Sequence, residues 1–110
     1  MLMLLFYGRD ERYAISAKSV VEVVPMVALK KVYNAPEYVA GLFNYRGKIV
    51  PVIDVCQLIQ GNSCRLHLST RIIMINYLER NDLGTPIGRL LGLMAERVTE
   101  TMNKPETDLI

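Results

Sequence analysis

Apolar residues in this chain come in short runs separated by turn-forming or charged residues, the rhythm of strands rather than of long helices. Met1 to Tyr7 is apolar, Gly8 to Arg12 is a charged turn, and Tyr13 to Ile15 resumes, which predicts a hairpin. Ser16 or Ser19 can cap a single helical turn before Val20-Val21-Glu22-Val23-Val24, where β-branched valines predict a strand with Glu22 alone among them. Leu29 to Tyr33, with Lys30 and Lys31 between apolar neighbours, is loop or edge strand. Pro36, Glu37 and Gly41 suit the first turn, the dipole and the end of a helix of one or two turns.

The run from Gly41 to Asp54 organises the rest. Two apolar segments flank Asn44-Tyr45-Arg46-Gly47, and Gly47 can close a hairpin through a type I turn with a glycine bulge. Ile49, Val50, Val52 and Ile53 leave almost no polar face, as in a strand covered on both sides. Pro51 cannot donate to a ladder, so its side faces an edge or a bulge. Asp54 is placed to cap a short helix over Val55 to Ile59, with Gly61 as its stop. Beyond a polar stretch from Gln60 to Ser69, Thr70 to Leu78 is the clearest strand. A loop over Glu79 to Pro86 follows, then a second apolar run over Ile87 to Met94. Leu90, Leu91, Met94, Val98 and Met102 would also stripe a helix, so periodicity alone leaves the last segment open.

With 110 residues there is room for one domain, and 51% apolar against 22% charged residues describes a folded core rather than a disordered chain. A net charge of +2 without a basic stripe argues against nucleic acid as a partner. The apolar runs are far too short to insert in a membrane, and Met1 to Tyr7 is too short for a signal core, so a cytoplasmic location is expected. Cys56 and Cys64 are the two cysteines; with His67 they lack a fourth ligand and any zinc spacing, so two reduced, partly buried thiols and no metal are expected. No nucleophile–base pair is visible, Asp54, Glu22, Glu96 and Glu100 do not pair by spacing, and no glycine-rich phosphate loop precedes a helix. The chain is therefore expected to be neither an enzyme nor a cofactor binder.

Gly41, Asn44, Arg46, Gly47, Pro51 and Asp54 together resemble the signature of the CheW-like chemosensory adaptors, and flanking segments match over nearly the whole chain. The resemblance implies an all-β fold of two small five-stranded, SH3-like barrels with one or two short helices, and it implies strands rather than a helix beyond Leu90. It also implies that such a domain continues for several dozen residues, so the C-terminal strands and final helix are expected to be missing here. By the same resemblance, the function is a scaffold bridging the cytoplasmic tip of a methyl-accepting chemoreceptor to the regulatory domain of a CheA-type histidine kinase. Val20, Glu22, Gly41, Asn44 and Arg46 match positions in the family's partner-facing region. Arg46 carries most of that expectation, because its fixed fork of donors suits a carboxylate or backbone carbonyls.

Tyr45 departs from the family's usual aliphatic residue, and Val55-Cys56-Gln57 from its usual leucine and basic residue, which bears on partner identity. A regulatory domain from a kinase itself is the near alternative, which the opening Met1 disfavours. A small-barrel nucleic-acid binder is the distant one and would need exposed aromatics such as Tyr33, Tyr38 or Tyr45 on a basic face. A barrel that stops at Ile110 should leave edges open along Thr70 to Leu78 or Ile87 to Met94. A homo-oligomer is then expected, with Met94 to Met102 reaching across as a swapped strand.

Overall fold

The computed structural model describes residues 1–103. Among them are eight strands in two sheets, with a short 3-10 turn over Ala17–Ser19 and one α-helix. Strands β1 (Leu2–Gly8), β2 (Glu11–Ser16) and β8 (Arg97–Asn103) form a sheet in the order β2-β1-β8. The second sheet takes β3 (Val20–Pro25), β4 (Val39–Tyr45), β5 (Lys48–Asp54), β6 (Arg71–Arg80) and β7 (Pro86–Ala95) in the order β3-β6-β7-β5-β4. The all-β architecture is as the sequence predicts.

Central strand β6 is shared between two cores. Ile72, Ile73 and Met74 are fully buried, with Ile72 and Met74 joining Val50, Val52 and Met94 in one cluster. Ile73, on the opposite face, joins Leu4, Phe6, Val55 and Ala95 in the other. A continuous apolar run is what a strand covered on both faces requires. That description, expected for β5, fits β6 instead. In β5 the buried positions are Val50, Val52 and Asp54, whereas Ile49 is 65% exposed, so the strand alternates. Pro51 does mark the edge of pairing: the parallel register between β5 and β7 begins one residue later, at Val52↔Gly92.

The first hairpin turns through Arg9 and Asp10, both at positive φ. The Arg46-Gly47 turn differs from the expected type I turn with a bulge. Tyr45 pairs with Lys48, and Arg46 (φ 50°) and Gly47 (φ 85°) are both left-handed, as in a two-residue type I′ connection. Asn44 supports it by accepting the Gly47 N–H on Oδ1 at 2.8 Å.

The expected helix after Pro36 is a single turn, closed by Val39 N–H to the Pro36 carbonyl at 3.0 Å. It goes no further because Tyr38 gives its carbonyl to the Asp54 N–H, at 2.7 Å, and β4 begins at Val39. Helix α1 (Val55–Gln60) matches expectation: Asp54 accepts from the Gln57 N–H, and Gly61 ends it at φ 78°.

The last described segment is a strand, not a helix. β8 lies antiparallel on β1 of its own chain, from Tyr7↔Arg97 to Leu2↔Asn103, rather than needing to reach a second copy. Nor is Thr70 to Leu78 an open edge over most of its length, since β3 covers Arg71 to Ile75 on the side away from β7. The expectation that the family's C-terminal strands and final helix are missing falls outside the described residues.

Candidate partner-binding site

Strands β3 and β4 are the two outer strands of the five-stranded sheet, yet the sheet curls until they meet. Contact is made by Glu22 on β3 and the tip of the β4–β5 hairpin. Tyr45 donates its hydroxyl to Glu22 Oε2, and Arg46 Nη2 donates to the same oxygen at 3.0 Å. The Arg46 guanidinium also stands 5.2 Å from the Tyr45 ring centroid, within cation–π range. Tyr45 is 9% exposed, whereas the Arg46 and Glu22 side chains keep 73% and 36% of their surface.

An exposed ion pair therefore rests on a buried aromatic. The Tyr45 hydroxyl is held above its ordinary pKa first by its bond to Glu22 and then by burial, against the opposing charge of Arg46. Arg46 has donors beyond the one that Glu22 takes, on a side chain that is mostly exposed. Beside the hairpin, Val32, Tyr33, Leu42, Phe43, Asn44 and Ile49, together with Lys30 and Lys31, line an open groove of about 480 Å³.

The five residues singled out from the sequence do not form one surface. Glu22 and Arg46 are in contact, and Asn44 shapes the turn that presents Arg46. Gly41 is buried where the Lys30 backbone crosses β4, exchanging two 2.8 Å hydrogen bonds with Leu42. A Cβ there would stand 2.8 Å from both Leu29 Cβ and the Lys30 carbonyl oxygen, so Gly41 is required for close approach. Val20 packs on the core of Leu4, Phe6 and Ile73, separated from Glu22 by a bulge in the β3–β6 register. Tyr45, noted in the sequence as a departure bearing on partner identity and as a possible exposed aromatic, was left out of the site and is instead buried at its centre. Its signal was present: a tyrosine in place of an aliphatic, with a lone carboxylate in the valine strand to receive its hydroxyl. Its burial also removes it as a stacking platform for bases.

A second polar cluster is centred on Arg65 and Glu96. Glu96, at the β7–β8 corner, is 5% exposed and accepts from the Arg65 backbone N–H at 2.6 Å and from Arg65 Nη2 at 2.9 Å. These bonds, led by the guanidinium, lower its pKa to about 2 despite burial. Arg65 reaches Asp10 as well, at 3.3 Å.

Cys56 and Cys64 differ from expectation: they are joined in a disulfide rather than kept as two thiols. Asp54 brings them together, because its carboxylate caps α1 and also takes the Cys64 N–H, so the chain after the helix folds back over it. Asp54, Cys56 and Cys64 place their ligand-type atoms within 4.8 Å of one another. The sulfurs are bonded to each other and the carboxylate is engaged by backbone donors, so the group is a cap and a cross-link. His67 stands apart, its backbone N–H bonded to Thr70 Oγ1.

This all-β half-barrel with a clasped hairpin has known counterparts. The family model of the CheW-like domain matches residues 2–110, and the chain belongs to that family. It is 28% identical over 100 residues to the chemotaxis protein CheW of Helicobacter pylori, covering 91% of this chain and 55% of that protein. Against the chemotaxis protein CheW of Bacillus subtilis it is 31% identical over 75 residues, covering 68% of this chain and 48% of the relative. The crystal structure of the scaffolding protein TtCheW from Thermoanaerobacter tengcongensis superposes with a TM-score of 0.81 at 29% identity, over 96% of this chain and 63% of that one. The chain thus spans about half to two thirds of the length of these relatives.

Proposed function

We propose that the chain acts as a non-catalytic adaptor, coupling the cytoplasmic tip of a methyl-accepting chemoreceptor to the regulatory domain of a CheA-type histidine kinase. The observation that carries this reading is the exposed pair of Arg46, at a hairpin tip of the CheW-like fold, with Glu22 on β3, beside an open groove lined by apolar side chains, Asn44 and two lysines. A receptor tip is a helical hairpin, and an amphipathic helix laid in a groove with a charged rim is a recurring recognition mode. Tyr33 and Ile49, 85% and 65% exposed, supply apolar contact, and Arg46 supplies register and specificity. The kinase domain would pack against apolar strand surface elsewhere on the barrel. Signal passes through the geometry of the assembly, without bond chemistry on this chain.

A cytoplasmic location goes with this role. No helix among the described residues is long and apolar enough to cross a membrane. Self-association belongs to the same proposal: β2 and β8 are the outer strands of the three-stranded sheet, and an outer strand can pair with another copy. Titrating a receptor-tip fragment and, separately, the kinase regulatory domain into the protein tests the coupling role. Saturable binding of both is expected; binding of neither contradicts it. Light scattering at low micromolar protein tests self-association, for which a sharp monomer would be the contrary result.

A further inference from the structure

The Cys56–Cys64 bridge lies at the seam between the two sheets. Cys56 is fully buried and Cys64 is 7% exposed, both in the core cluster of the five-stranded sheet. Pressed against them is Gly8, the last residue of β1 in the other sheet. A Cβ on Gly8 would stand 2.5 Å from Cys56 Sγ and 3.8 Å from Cys64 Sγ, so the sulfur bridge itself is the packing surface on which β1 ends.

From this seam runs a strap made of the end of α1 and residues 61–70, and its polar contacts reach the three-stranded sheet and the β7–β8 corner. Gln60 Nε2 donates to the Gly8 carbonyl at 2.8 Å and to the Tyr13 hydroxyl at 2.7 Å. Arg9 Nη1 donates to the Ser63 carbonyl at 3.0 Å. Arg65 holds Glu96 and Asp10, and Ser69 Oγ donates to the Glu96 carbonyl at 2.8 Å. The strap has no regular secondary structure between Gly61 and Ser69, so these side-chain bonds, the Asp54 carboxylate and the disulfide are what fix it.

We propose that Cys56 and Cys64 form a reversible thiol–disulfide switch that sets how firmly this strap couples the three-stranded sheet to the five-stranded one. Reduction needs a dithiol. A thiolate of the reductant bonds to Sγ of Cys64, the less buried of the two residues, and the S–S bond breaks to release Cys56 as a thiolate that takes up a proton. The second thiol of the reductant then attacks its own sulfur in the mixed disulfide and releases Cys64. The chain gains two hydrogens, and the reductant leaves as its disulfide.

The test is amide hydrogen exchange on the full chain, air-oxidised, then treated with dithiothreitol, then reoxidised with glutathione disulfide, with intact mass recorded at each stage. The oxidised chain should be lighter by two hydrogens than the reduced one. Reduction should speed exchange at the Cys64 and Arg65 amides by about tenfold or more, while Ile72 to Met74 stay protected, and reoxidation should restore the slow rate. The double variant Cys56→Ser, Cys64→Ser should exchange like the reduced chain and ignore both reagents. Free thiols after oxidation, unchanged strap exchange on reduction, or loss of protection throughout β6 would each overturn the proposal, the last by making the bridge a requirement of the whole fold.

Discussion

Tyr45 donates its hydroxyl to Glu22, and that bond ties the two outer strands of a five-stranded sheet to each other. Backbone pairing does not join β3 to β4, so the curl of the sheet is secured there by side chains. Arg46 lies over the ring and on the same carboxylate oxygen, but from the solvent side. The buried tyrosine thus closes the fold, while the neighbouring arginine faces outward.

Tyr45→Phe should accordingly destabilise the protein by about 1–2 kcal/mol, the net worth of a hydrogen bond to a partly screened carboxylate. A urea midpoint read at neutral pH measures it. The Tyr45 contribution has a defined alkaline limit. Its folded pKa lies above the ordinary tyrosine value of 10.0, so the stabilisation is complete below that pH and is lost as pH rises through the folded value. The difference between wild type and Tyr45→Phe should shrink across that window; a constant difference would assign the loss to packing.

Gly41→Ala should cost more than Tyr45→Phe, about 1–3 kcal/mol or beyond, because the new methyl meets backbone oxygen as well as a side chain. Any loss of partner binding should then track the loss of folded protein. Affinity that falls while the unfolding midpoint stays put would instead make Gly41 part of the contact surface.

Glu96 sets an acid limit. Its folded pKa is depressed to about 2 from an ordinary 4.5, so its contribution is present above pH 4.5 and is lost as pH falls towards 2. Glu96→Gln should be less stable than wild type at neutral pH, with the gap closing over that interval. Chemical denaturation at stepped pH checks this, and parallel pH profiles for the two proteins would contradict it.

Most of the fold was legible because its signals are local. The Asp54 cap, the Gly61 stop, the apolar run at Ile72 to Met74 and the charged turn at Arg9-Asp10 each act within a few residues. The errors share a different origin. Whether Ile49 is covered depends on β7 diverging from β5 before Val52, and the helix expected after Pro36 loses the Tyr38 carbonyl to Asp54, sixteen positions on. The disulfide likewise needs Asp54 to reach past α1 to the Cys64 N–H. At the site, the hairpin pattern made the Asn44–Gly47 turn readable, while the partner-facing role of Val20, Glu22, Gly41, Asn44 and Arg46 came from the resemblance alone. Packing and backbone geometry were the competing reading for Val20 and Gly41, and only tertiary structure shows Val20 packed on a core and Gly41 at a backbone crossing.

The central claim is that Arg46 serves recognition rather than folding, and calorimetric titration of a receptor-tip fragment into wild type and Arg46→Ala tests it most directly. The arginine is mostly exposed and sits at positive φ, so its removal should change stability by no more than about 0.5–1 kcal/mol. Loss of a charge-assisted contact to the partner should weaken binding by roughly 1.5–3 kcal/mol, about tenfold to a hundredfold in the dissociation constant. Equal affinity for the two proteins, or a fall in affinity matched by an equal fall in folding stability, would contradict the account.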